Sequence, residues 1–239
     1  GILALILFPF VFRGTEGIFP AFLLPLGATA CFYLTAQFLL FTALKSTDSS
    51  VVAPLLGLKI PILGLIGTLF LGGGLGPRAW VAILLCTCAV FMVAPPRGLP
   101  QVRTIGFVLL ICLGYCGSDL SIPVLVDALR PSTNHPILLA TSMVYLVCGV
   151  VGIVFAVFTG AFRVRGGQLY ALPYSVAWFA AMCFLFTAFS TVGVVFGNML
   201  QATRSIIIVI FGIAVQRLGW THIEAGGGVR TWLLRAGGA

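Results

Sequence analysis

Apolar runs of roughly 17 to 25 residues, one after another, constrain this chain more than any other feature in it. A hydrocarbon core about 30 Å thick is crossed by about 20 helical residues. The runs are too long for porin-type strands and lack strict alternation. Of the 239 residues, 60% are hydrophobic and 8% charged, with a mean hydropathy of +1.18. That leaves too little polar surface to clothe a water-soluble domain of this length. The expected class is all-α transmembrane, multi-pass, in a cell membrane (bacterial inner membrane or equivalent). The formal charge of +8 does not indicate a nucleic-acid partner, because the basic residues are single and gather where apolar runs end.

The chain begins with an apolar segment, Gly1–Phe12, that lacks the basic region and cleavage site of a signal peptide and reads as the end of a spanning helix. Full spans are expected at Phe19–Leu44, Val51–Leu71, Pro77–Ala94, Val102–Leu129, Pro136–Phe158, Tyr170–Thr191 and Phe196–Leu218. A last partial helix starts at Arg230 or Thr231. The paired prolines of Ala94–Pro100 are the clearest stop signal, and they set the boundary between a first half, 1–96, and a second, 101–239. All seven cysteines fall inside apolar runs without metal or redox spacing, so they read as small buried hydrophobes.

One span carries a charge near its middle. Lys59 lies within Ser49–Gly74, with Pro54 before it and Pro61 just after. An ionisable group at that depth is expensive unless it faces the bundle interior or a wet cavity. Shifting the chain by 145 residues aligns Phe41–Thr42–Ala43 with Phe186–Thr187–Ala188 and, without a gap, Leu55 with Leu200, Ile62 with Ile207 and Gly67 with Gly212. The same shift pairs Lys59 with Arg204. Five expected spans separate equivalent positions, and five is odd, so the second copy enters the membrane from the opposite side. Inverted repeats of this kind are common in secondary transporters, with the substrate site near the midplane.

With these residues in view, the chain resembles the drug/metabolite transporter superfamily, specifically its EamA-like members, which have ten helices in two five-helix repeats. The resemblance rests on Phe41–Ala94: an "ALxxT" helix end at Ala43–Thr47, a proline-containing helix, an "LG" turn at Leu71–Gly72 and Trp80 near the next helix start. Phe186–Trp220 matches less sharply. Gly73 and Gly74 stand where the family usually carries an acidic residue. The resemblance implies a 5+5 inverted-repeat fold in which the first helix, and parts of the second and last, lie outside these residues. Sugar-phosphate and nucleotide-sugar carriers of the same superfamily are similar in bearing basic residues on their fourth and ninth helices, which hold the substrate phosphate. Lys59 and Arg204 fall on those helices, implying an anionic or zwitterionic metabolite; amino-acid-type substrates fit the EamA-like members equally.

Read residue by residue, Lys59 and Arg204 are candidate substrate ligands, with Arg204 offering a bidentate fork to a carboxylate or phosphate. A lysine at depth can equally snorkel or brace a neighbouring helix. Asp119 sits deep in its span and needs a partner: it neutralises a cation, carries a coupling proton, or bonds locally within Gly117–Ser121. Tyr33, Gln37, Tyr145, Tyr174, Trp178, Asn198 and Gln201 are candidate cavity-lining residues, although the lipid interface also enriches Trp and Tyr. Pro54 and Pro61 suit kinks or a hinge beside the buried cation. Asp127, His135 and His222 lie near span ends and read as interfacial or solvated.

The expected function is secondary transport of a small polar metabolite by alternating access, with the lipid bilayer as partner and protons as one coupling option. A non-transporting membrane scaffold or receptor is the second reading, and a channel the third. No nucleophile–base set, metal cluster or phosphate loop stands out, so neither enzymatic chemistry, a cofactor nor a metal is expected. Both a monomer and a homodimer remain open. Charge bias and family topology give opposite orientations.

Overall fold

The computed structural model describes residues 21–45, 52, 55–70, 75–93, 102–159 and 167–202. They form seven helices: α1 (Leu23–Leu44), α2 (Lys59–Phe70), α3 (Pro77–Val93), α4 (Val102–Leu129), α5 (Pro136–Thr159), α6 (Gly167–Thr191) and α7 (Val194–Ala202). A 3-10 turn, Leu56–Leu58, leads into α2. Four of the helices, α1, α4, α5 and α6, are long and apolar enough to cross a membrane, and the chain is a multi-pass helical membrane protein. Gly1–Phe12, Ala94–Pro100, Pro54, Arg204 and everything after Ala202 lie outside the described residues.

Helices are what such a sequence must form, because in hydrocarbon every backbone N–H and C=O has to be satisfied within its own segment. Side-chain hydroxyls obey the same rule here. Thr29, Thr42, Thr68, Thr87, Ser121, Thr141, Thr187 and Ser190 each donate to the carbonyl four residues earlier, at 2.7–2.9 Å. Pro77 and Pro136 open α3 and α5, where no N–H is needed. Gly193, at φ +87°, makes the turn from α6 into α7, a left-handed conformation that side chains resist.

The expected uninterrupted span Val51–Leu71 differs from what is seen. The backbone tightens into the 3-10 turn at Leu56–Leu58, and Lys59 is the first residue of α2 rather than the middle of one long helix. The physical reason is close by: Pro61 has no N–H to give to the carbonyl of Gly57, so the regular ladder cannot run through.

The chain divides into two compact units, one made of Gly1–Leu34 with Gly117–Val194, the other of Thr35–Cys116 with Val195–Ala239. Helices α1 and α4 each contribute to both. In the first unit, Phe22 and Leu26 pack with Ile122, Leu125, Val126 and Leu129 of α4, Leu139 and Met143 of α5, and Phe186 and Phe189 of α6. Gly117 lies so close to the Phe32 ring that an added Cβ would sit 2.9–3.0 Å from ring atoms.

In the second unit, Val52 and Leu55 pack with Val108 and Cys112, and Ala36 and Ala43 with Ile111. Helices α2 and α3 pack together, and Gly64 would place a Cβ 2.6 Å from Ile83 Cδ1. Gly67 faces Val195 of α7. The cysteines are not uniformly buried as expected: Cys112 and Cys116 are, but Cys31 and Cys88 are exposed. Cys31 is on α1, a helix long and apolar enough to cross a membrane, and a thiol facing lipid is as acceptable as one in a core.

Candidate functional site: a tyrosine-capped lysine and an aromatic cluster

Lys59 is half-buried, and its ammonium lies 5.7 Å from the centroid of the Tyr115 ring. A cation over an aromatic face gains about 0.5–1 kcal/mol when exposed and about 2 when desolvated. A ring face is a favourable neighbour for an ammonium on a short apolar helix such as α2. Helix α4 presents Tyr115 together with two buried cysteines one turn apart. Cys116 donates its thiol to the Lys59 carbonyl at 3.6 Å, and Cys112 approaches the carbonyls of Leu55 and Leu56 at 3.9 and 3.8 Å. Weak S–H donors thus cover the backbone of the 3-10 turn on the side facing α4. The lysine is held by its backbone while its side chain rests on a ring.

In the same unit, Gln37 is half-buried on α1, Asn198 is buried on α7, and Gln201 is half-buried one turn further along that helix. Pro61 is in α2, two residues beyond the lysine. Tyr115 was not singled out from the sequence. The usable signal was its position four residues before Asp119, which places the two on one face of α4.

The first unit gathers a different set. Tyr33 of α1 and Tyr145 of α5 meet edge-to-face with ring centroids 6.3 Å apart, and Tyr145 meets Phe179 of α6 in the same way at 6.3 Å. Trp178 donates its indole N–H toward the Tyr145 hydroxyl, which is also hydrogen-bonded with Tyr33. Tyr174 is exposed and stacks on Trp178 at 5.9 Å. Three residues expected to line a cavity, Tyr33, Tyr145 and Trp178, are therefore one group, and Phe179 adds an unforeseen ring contact to Tyr145.

Asp119 belongs to the first unit and is only 7% exposed, beside Ser118 at 3%. Thr141 and Ser142, one turn before Tyr145, are fully buried. The Thr141 hydroxyl is hydrogen-bonded to the Cys183 thiol of α6. At the end of α4, Asp127 is exposed and pairs with Arg130 at 2.7 Å, as suits an interfacial carboxylate. His135 is likewise exposed.

Among the described residues no group of three or more His, Cys, Asp or Glu side chains is placed to hold a metal ion. Comparison with family profiles and with curated proteins finds no match for this chain.

Proposed function

We propose that this chain is a secondary transporter of the EamA-like drug/metabolite type, with a 5+5 inverted repeat, moving a small polar metabolite by alternating access. The observation that carries the reading is Lys59: an ammonium beside a tyrosine face, at the start of a short apolar helix where the backbone is already irregular. Irregular backbone and ionisable groups at membrane depth are retained where they meet substrate or ions.

The repeat register supports it. Moved forward by 145 residues, α1 lands on 168–189, inside Gly167–Thr191. The reading assigns Lys59 and Arg204 to an anionic group of a substrate; taken by itself, the first unit's cluster of Tyr33, Tyr145 and Trp178 is assigned to uncharged polar groups. Asp119 is the acid for a coupling proton. No covalent chemistry is part of it.

The test is uptake into proteoliposomes with labelled amino acids, phosphorylated sugars and nucleotide sugars. For the substrate found, Lys59→Ala and Arg204→Ala should each lower uptake at least about tenfold, roughly 1.4 kcal/mol of lost interaction, with the thermal midpoint retained. Full rates in both variants would remove the two-cation site. Binding of a probe without any uptake would favour the receptor reading instead.

A further inference from the structure

Ser142 departs from a pattern that many of the described serines and threonines follow. Among the described residues, nine serines and threonines donate to the carbonyl four residues back. That is how a hydroxyl is ordinarily silenced in a membrane helix. Thr141, the immediate neighbour of Ser142, does so through Ile137. Ser142 is 0% exposed, yet its Oγ makes no hydrogen bond among the described residues. A buried hydroxyl left without a partner is costly, and the local remedy was one rotamer away.

Its position says what the hydroxyl is held for. Ser142 and Tyr145 are three residues apart on α5 and share a face of that helix. Tyr145 is the centre of the hydrogen-bonded group with Tyr33 and Trp178, and its ring meets Phe179. Every polar member of this cluster is uncharged. Such a set selects a ligand by its neutral polar groups: a site built to bond a hydroxyl discriminates strongly against the analogue that lacks it.

We propose that Ser142 is a specificity-determining residue of this cluster, bonding a hydroxyl or carbonyl oxygen of a hydroxylated small metabolite. The proposal rests on the reading that Tyr33, Tyr145 and Trp178 touch substrate. It adds the chemical class and the discriminating atom.

The experiment is calorimetric binding to the full chain in lipid nanodiscs, using probe pairs that differ by one hydroxyl: L-serine and L-alanine, L-tyrosine and L-phenylalanine, glucose 6-phosphate and its 2-deoxy analogue. The wild type should bind the hydroxylated member of at least one pair ten or more times tighter. Ser142→Ala should bring that ratio close to one while the thermal midpoint holds or rises, because the variant loses only an unpartnered oxygen. An unchanged ratio in Ser142→Ala overturns the proposal, the hydroxyl then holding a water only. A wild type that discriminates no pair overturns it as well. Binding with the expected ratios but without uptake in liposomes would refute transport and leave the subsite standing.

Discussion

At the scale of single residues, two glycines make the sharpest contrast. Gly117 packs against the near end of the Phe32 ring, at Cγ, whereas the one tight approach at Gly64 is to the terminal Cδ1 of Ile83. A methyl at residue 117 must displace a whole ring in a helix contact; at residue 64 a flexible tip can rotate away. Gly117→Ala should therefore destabilise by about 1–3 kcal/mol, in the range of overpacked cores, and Gly64→Ala by clearly less. Paired thermal unfolding in one detergent checks the order, and equal losses would show that the two contacts yield alike. Lys59 and Asp119 were readable from the sequence because a charge in an apolar run needs no context to stand out. Tyr115, Phe179 and Ser142 were not. Their significance is tertiary: a ring under an ammonium, a ring against a ring, and a hydroxyl that fails to fold back.

At the scale of elements, the ends of the long helices were legible to within a few residues. The run Phe19–Leu44 became Leu23–Leu44, and Pro136–Phe158 became Pro136–Thr159. Length and hydropathy suffice there, since a bilayer fixes both. Which face each helix buries was not legible, because lipid is as apolar as the protein interior and leaves no periodic stripe to read. The tight turn before α2 was half legible: Pro61 announced a disturbance, but not that Lys59 would begin a helix. Pro61→Ala restores a donor to the Gly57 carbonyl and should let the regular ladder run back through Leu56–Leu58. Exchange protection at Leu56–Leu58 should rise, with global stability changing by less than about 1 kcal/mol because Pro61 is in the first turn of α2, where a proline is tolerated, while uptake slows if the turn is a hinge. Hydrogen exchange over residues 55–63 with parallel uptake reads both. Faster uptake in a better-protected variant would remove the hinge.

At the scale of the whole molecule, the proposed inverted repeat makes a topological prediction. The end of α1 at Lys45 and the end of α6 at Val192 are near-equivalent under the 145-residue shift and separated by five expected spans. Single cysteines at these two sites, in a chain otherwise freed of cysteine, should be labelled by an impermeant maleimide from opposite faces of the membrane. Labelling from one face would sink the repeat and, with it, the pairing of Lys59 with Arg204. The first unit also has a consequence for synthesis. Phe22 and Leu26 belong to the same packed cluster as Phe186 and Phe189. A ribosome adding about 5–20 residues per second needs on the order of ten seconds or more to travel from one set to the other. Through that interval Phe22 and Leu26 are in the bilayer without the neighbours they are built to touch. The insertion machinery or the lipid must shelter them until α6 arrives.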